Sequence, residues 1–237
     1  MTPGTAHIIG LGVAGLSAAL TLLRDGWIKG GGRIALYEQA RFAGGRCRTY
    51  VDQALGCEID NGNHLLLAAN PAALGHLAAT GAEDAVTGPE QARFDFVDLE
   101  TRDAWSLRPN RGRLPWWIFA RGRRTPGAGA AAHMAGVKLI TAGANATVAE
   151  ILDPDAPLSR RLWTPLCESV LNAAPAEASA RLLGRVFRET FAAGGAACRP
   201  LMARRGLSHA FVDPTLKRLA EVGVEPRFGA RLRAIDT

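Results

Sequence analysis

His7-Ile8-Ile9-Gly10-Leu11-Gly12-Val13-Ala14-Gly15-Leu16 joins a short apolar run to a glycine turn and then to apolar residues at helical spacing. His7 to Ile9 reads as a buried strand, and Leu16 to Arg24 as a helix that Gly26 ends. Lys29-Gly30-Gly31-Gly32 is a flexible turn, and Ile34-Ala35-Leu36-Tyr37 a second buried strand. Strand, glycine turn, helix and strand in the first 38 residues make a βαβ unit. Each glycine has a physical task. Gly10 permits the tight turn out of the strand, Gly12 lets backbone approach a pyrophosphate, and Gly15 lets the helix pack closely on the strand. Ala14, in the first helical turn, is counted with them. The helix N-terminus offers free N–H groups and a positive dipole end to phosphates. Glu38 closes the second strand 23 residues after Gly15, where a carboxylate can accept from both ribose hydroxyls of a dinucleotide.

Arg41-Phe42-Ala43-Gly44-Gly45-Arg46 follows directly. Two glycines and an arginine supply bare backbone and a guanidinium, both suited to a second approach to a pyrophosphate. A simple nicotinamide site has no need of this after its acidic residue. The two motifs at this spacing resemble the FAD-dependent amine oxidase and carotenoid desaturase superfamily, so the resemblance implies FAD at Gly10, Gly12, Ala14, Gly15, Glu38, Gly44, Gly45 and Arg46.

Cys57-Glu58-Ile59-Asp60-Asn61-Gly62-Asn63-His64-Leu65-Leu66-Leu67 comes next. An Asp-Asn-Gly-x-His stretch followed by leucines resembles the hydroxysqualene dehydroxylases, also called squalene-associated FAD-dependent desaturases. Leu162-Trp163-Thr164-Pro165-Leu166-Cys167 and Leu171-Asn172-Ala173-Ala174-Pro175 resemble the same family's helical segment. Ala174 stands where the family usually has a second proline, Asn63 where it has glutamine, and Gly30 to Gly32 lengthen a loop. The resemblance runs from Ile8 to Ile235. It implies an α/β fold: a Rossmann-type FAD-binding domain interrupted by a mainly helical substrate domain, with the C-terminal part missing. The implied division is 1–82 for the first part of the FAD domain, 83–205 for a substrate and membrane-facing domain, and 206–237 for the incomplete second part of the FAD domain. It places Asn61 and Gly62 beside flavin or substrate, and the Leu232 backbone against the adenine. The implied reaction removes the allylic hydroxyl of hydroxysqualene reductively to give squalene for hopanoid or triterpenoid synthesis. His64 is the candidate acid, because an imidazole titrates near neutral pH. Another superfamily desaturase or amine oxidase, or an inactive FAD- or membrane-binding fragment, is the alternative.

The remaining pattern is coarser. Pro71 to Ala79 predicts a helix, Phe94 to Leu99 a strand, and 130 to 191 is mainly helical. Thr147-Val148-Ala149-Glu150 has the form of a capping box. Helices are expected over Ser159 to Leu171 and Ala176 to Phe191. Asp213-Pro214 is expected to open another helix, and Val224 to Ile235 to form strand, with a hairpin about Gly229. His76, His133 and His209 read as ordinary surface or helix residues. Cys167 reads as core.

Of 237 residues, 48% are hydrophobic and 21% charged, which excludes disordered, collagenous and coiled-coil chains. Cys47, Cys57, Cys167 and Cys198 form no C-x-x-C and have no zinc-ligand spacing with histidine, so free thiols and no metal are expected. The net charge of +6 is local. From Ala104 to Ala149 there is no Asp or Glu, yet six arginines and Lys138, while the rest of the chain has 21 basic against 22 acidic residues. Within that segment lies Leu114-Pro115-Trp116-Trp117-Ile118-Phe119, with arginine on both sides. An apolar wedge flanked by cations suits a membrane surface, with Trp116, Trp117 and Arg121 as contacts. Nucleic acid suits it less, because the wedge lacks interleaved polar residues. The expected partners are therefore a long apolar isoprenoid substrate and the membrane, with no nucleic acid; oligomeric state is left open. No apolar run reaches membrane-span length and no basic residue precedes Ile8 to Leu23 as in a signal peptide. The expected location is a bacterial cytoplasm, peripheral on the inner face of the cytoplasmic membrane.

Overall fold

The computed structural model describes residues 4–62 and 65–234. The described residues fall into two compact units, one drawn from Met1–Leu66, Asn70–Thr87 and Leu201–Thr237, the other from Leu67–Ala69 and Gly88–Pro200.

In the first unit the βαβ unit forms as expected from β1 (Thr5–Ile9), α1 (Val13–Arg24) and β2 (Arg33–Glu38). β1 and β2 are parallel, with Ile9 opposite Tyr37. Parallel strands need a crossover, and α1 supplies it. Leu16, Ala19 and Leu20 of α1 are buried, the i, i+3, i+4 face that sequence spacing requires. Leu16 and Ala19 join a core with Leu11, Leu36, Val212 and Leu219. The glycine run after α1 closes over Trp27, whose indole N–H donates to the Arg33 carbonyl at 3.1 Å. β3 (Thr49–Asp52) and β4 (Cys57–Asp60) are antiparallel, Thr49 opposite Asp60. A two-residue strand β5 (Leu66–Leu67) precedes α2 (Pro71–Thr80), which starts with Asn70 Oδ1 accepting the Ala73 N–H, and β6 (Val86–Thr87) follows.

The second unit begins with a hairpin of β7 (Phe94–Val97) and β8 (Ala104–Leu107), with the Phe96 and Trp105 rings stacked 5.6 Å apart. The strand expected to reach Leu99 stops at Val97. There the Asp98 carboxylate accepts from the Glu100 and Thr101 amides and turns the chain. The rest of the unit is helical: α3 (Ala130–Met134), α4 (Val137–Ile140), α5 (Val148–Ile151), α6 (Thr164–Leu171) and α7 (Ala180–Glu189). Both halves of the capping box at Thr147 and Glu150 are present. Gly184 of α7 meets α4 so closely that a Cβ there would lie 2.1 Å from the Leu139 carbonyl oxygen. α7 starts at Ala180 and not at Ala176, because the carbonyls of Pro175 and Ala178 accept from Ala149 and Val148. Those residues are committed to the α5 cap before α7 can use them.

The chain then returns to the first unit through β9 (Pro200–Ala203), α8 (Asp213–Ala220) and β10 (Pro226–Phe228). β9 is antiparallel to β6, and β10 is parallel to β2 with Phe228 opposite Glu38. Two expectations fail here. Helical backbone begins at Ser208 as a π-turn, so Asp213 does not cap α8; its carboxylate faces His209 Nδ1 at 3.1 Å. A similar π-turn over Ser159–Trp163 precedes Pro165. Each proline lacks an N–H and crowds the carbonyl four residues back, and a locally wider turn relieves both problems. The second failure is the hairpin about Gly229. Gly229 turns at φ +70°, its amide donates to the Ala40 carbonyl, and 231–234 form no strand.

Candidate functional site

The site is assembled where β1 ends. Gly10, at φ +89°, donates its amide to the Tyr37 carbonyl at 2.8 Å. Gly12 is extended and precedes α1, whose first turn has no side-chain cap. Its N-terminal N–H groups therefore remain available, and Ala14 adds only a methyl group beside them. A Cβ on Gly12 would meet nothing within 4 Å, so this backbone faces open space. Gly15 is the reverse case: a Cβ there would lie 2.0 Å from the Gly10 carbonyl oxygen. The three glycines thus serve a turn, an open approach and a tight packing contact.

Glu38 is buried, and both its oxygens are held. Oε2 accepts the Leu11 N–H at 2.7 Å and Oε1 accepts the Ala40 N–H at 2.9 Å. Each carboxylate oxygen keeps a further lone pair.

The second glycine pair folds onto the first. The Gly44 amide donates to the Leu11 carbonyl at 2.7 Å, and Gly12 and Gly44 form a parallel bridge. Gly44 sits at φ +97°, and a Cβ on it would lie 2.4 Å from the Cys47 carbonyl oxygen. Gly45, at φ +59°, brings its Cβ direction to 3.4 Å from Gly12 Cα. Arg46 follows, exposed. Asn61 reaches the same loop: its amide donates to the Arg48 carbonyl at 2.8 Å and its side chain to the Arg46 carbonyl at 3.4 Å. Gly62 comes next. His64 lies outside the described residues, as does Asn63. Asp60 is structural: Oδ1 accepts from Thr49 Oγ1 at 2.6 Å and from the Leu207 amide at 2.8 Å.

Leu232 is exposed and lines a cavity of about 600 Å³ with His7, Ile9, Tyr37 and Ala230. Ile9 and Tyr37 end their parallel strands or come next to the end, the edge at which ligands of such sheets bind.

Sequence reading missed three histidines. His76 is buried, with Nδ1 2.9 Å from Ser17 Oγ and Nε2 2.9 Å from Thr215 Oγ1, joining α1, α2 and α8. His209 lies 3.1 Å from Glu58 Oε1, and this contact is the main reason the Glu58 carboxyl is held below the usual carboxylate range. No local spacing could reveal a pair 151 residues apart. His133, also buried, donates from Nδ1 to the Gly129 carbonyl at 2.9 Å.

The basic aromatic segment divides in two. Leu114, Trp116 and Phe119 are 80%, 53% and 72% exposed. Trp117 is 6% exposed and packs with Leu139, Leu162 and Trp163 in the core. Trp117 is therefore not a membrane contact; consecutive residues of the short helix Trp116–Phe119 point to different sides. Arg123 lies over the Trp116 ring at 4.7 Å and Arg121 is exposed beside it.

A family model, flavin containing amine oxidoreductase, matches residues 13–237. The chain belongs to the flavin containing amine oxidoreductase family. It is also 42% identical over 231 residues to a hydroxysqualene dehydroxylase of Rhodopseudomonas palustris, covering 98% of this chain and 54% of that relative. A hydroxysqualene dehydroxylase of Sinorhizobium fredii is 41% identical over 233 residues, 98% of this chain and 55% of the relative. The chain thus spans about half the length of the curated relatives it matches. A solved structure provisionally named a protoporphyrinogen oxidase, from Exiguobacterium sp. 255-15, shares the fold. Its TM-score is 0.55 at 18% identity, over all of this chain and 55% of that one. The cofactor is FAD. The residues present fit its dinucleotide portion: open space over Gly12, an uncapped helix terminus, and a carboxylate fixed at the end of β2.

Proposed function

We propose that the protein takes part in the reductive removal of the allylic hydroxyl of hydroxysqualene, giving squalene for hopanoid or triterpenoid synthesis. The observation that carries this reading is similarity to hydroxysqualene dehydroxylases, 42% and 41% identical, over nearly the whole of this chain, together with a folded dinucleotide cradle. Bound reduced FAD would supply hydride to the allylic carbon. The departing oxygen takes a proton and leaves as water, so the balance is alcohol plus reduced flavin to hydrocarbon, water and oxidised flavin.

The chain's own part is binding and orientation. In this reading the α1 amides and Gly12 receive the pyrophosphate, and Glu38 accepts from the ribose hydroxyls. Gly44, Gly45 and Arg46 close over the phosphates from the second loop. The Leu232 backbone meets the adenine, and Asn61 and Gly62 border the flavin or substrate. His64 holds the proton for the leaving oxygen. The long isoprenoid reaches the protein from the lipid phase, and Leu114, Trp116 and Phe119 with Arg121 seat it on the inner face of the cytoplasmic membrane. No helix among the described residues is long and apolar enough to cross a membrane.

Anaerobic incubation of the purified, FAD-loaded protein with chemically reduced flavin and hydroxysqualene tests the reading, with products separated by gas chromatography. Squalene appearing in proportion to protein is the expected result. Hydroxysqualene recovered unchanged, with flavin bound, refutes it.

A further inference from the structure

A buried hydrogen-bond chain lies behind the two glycine loops. His76 of α2 is 7% exposed, and both its ring nitrogens are engaged. Nδ1 is 2.9 Å from Ser17 Oγ, while Nε2 is 3.0 Å from the Phe211 carbonyl and 2.9 Å from Thr215 Oγ1. A carbonyl can only accept, so Nε2 carries a proton. The Thr215 hydroxyl donates to the same carbonyl at 2.8 Å. In the neutral ring Nδ1 accepts from the Ser17 hydroxyl. One imidazole thus joins α1 to the π-turn Ser208–Val212 and to α8.

Both ends of the chain reach the cradle. Ser17 stands one helical turn after Val13, on the same face of α1, and Val13 opens the uncapped first turn. At the other end Val212 follows Phe211 and is buried with Leu11 and Ala43. A Cβ on Gly44 would lie 2.9 Å from Val212 Cγ2, so the second glycine loop rests directly on that side chain. In front, the Gly44 amide holds the Leu11 carbonyl; behind, the His76 chain sets α1 against the turn that supports Gly44. Helix N–H groups serve an anion when they are aimed at it, and a bond network behind them holds that aim.

We propose that His76 is a positioning residue for the FAD cradle. Through Ser17 and Phe211 it fixes the first turn of α1 against the second glycine loop, so that both face one pyrophosphate. The proposal rests on the pyrophosphate placement given above and is independent of which substrate the flavin reduces.

The test follows FAD release from the loaded protein on dilution, read as recovery of flavin fluorescence. Ser17→Ala removes the α1 contact at a helix position that alanine favours, so the fold is kept. Ser17→Thr keeps a hydroxyl. His76→Phe keeps a ring against Phe211, which lies 5.7 Å from His76. FAD affinity is expected to fall roughly fivefold to tenfold in Ser17→Ala, the ratio that one hydrogen bond supplies. Ser17→Thr retains FAD. His76→Phe loses more than Ser17→Ala, and the double variant is no weaker than His76→Phe alone, because both changes break one chain. A chain that only held the fold would lower the melting temperature and leave the FAD affinity of the folded protein unchanged. Unchanged affinity in Ser17→Ala therefore overturns the proposal, and so do losses that add in the double variant. The Ser17 pair decides the matter even where His76→Phe does not fold. Full FAD affinity in Glu38→Gln with loss in Ser17→Ala removes the ribose contact proposed for Glu38 and leaves His76 standing.

Discussion

The Leu11 amide donates to Glu38 Oε2 across 2.7 Å, while the Leu11 carbonyl accepts from Gly44 at the same distance. One residue thus ties the first glycine turn to the acidic end of β2 and to the second glycine loop. Glu38→Gln keeps the shape but removes the charge, and replaces one of the two oxygens that accept from Leu11 and Ala40 by an N–H₂ group that can only donate. FAD affinity is expected to fall roughly tenfold to a hundredfold, the loss for a charge-assisted contact. Titration of the apoprotein, followed by quenching of flavin fluorescence, measures it. Unchanged affinity would remove Glu38 from the cofactor site.

Gly12 and Gly15 separate binding from folding. In Gly15→Ala the new methyl meets the Gly10 carbonyl oxygen at 2.0 Å, so α1 must move off β1. A loss of roughly 2–3 kcal/mol of stability is expected, as for overpacked sites. Gly12→Ala adds a methyl in open space at an ordinary φ of −65°, so the melting temperature should hold while flavin retention drops. Equal melting shifts in the two variants would contradict the structure.

The two neighbouring tryptophans should part in the same way. Trp117→Ala empties a core position and is expected to cost roughly 3–5 kcal/mol. Replacing Leu114, Trp116 and Phe119 together by serine should change stability little, since all three are exposed, yet abolish sedimentation with anionic liposomes. Full sedimentation of the triple variant would exclude this face as the membrane contact.

Burial pushes the Cys198 thiol from 9.0 up to about 12. The folded state therefore favours the neutral thiol. Its contribution to stability is complete below pH 9 and is lost progressively as pH rises from 9 towards 12. Urea unfolding across that range should show an alkaline decline that Cys198→Ala flattens. At pH 8 an alkylating reagent should label exposed Cys57 in the native protein and reach Cys198 only on unfolding. Rapid native labelling of Cys198 would show that the thiol is not buried.

Sequence by itself determined the cradle. The βαβ unit, the glycine turn and Glu38 lie within 38 residues, and their spacing encodes a local periodicity and a local turn. The Thr147 capping box and the buried Cys167 were legible for the same reason: a cap is a four-residue event, and Cys167 lies on an apolar helix face. Tertiary structure decided what depends on distant partners. Trp117 turned inward because Leu139, Leu162 and Trp163 fill the other side of the core, which the run Trp116-Trp117-Ile118-Phe119 cannot state. His209 found Glu58, His76 found Ser17 and Thr215, and His133 Nε2 was left without a partner among the described residues, each through packing against residues remote in the chain. α7 began late and the strand after Val224 shortened because backbone groups there bond to segments far away: Pro175 and Ala178 to α5, Gly229 to Ala40. Periodicity reports which face of a segment is apolar; what that face or an unpaired backbone group meets is fixed only when the chain closes on itself.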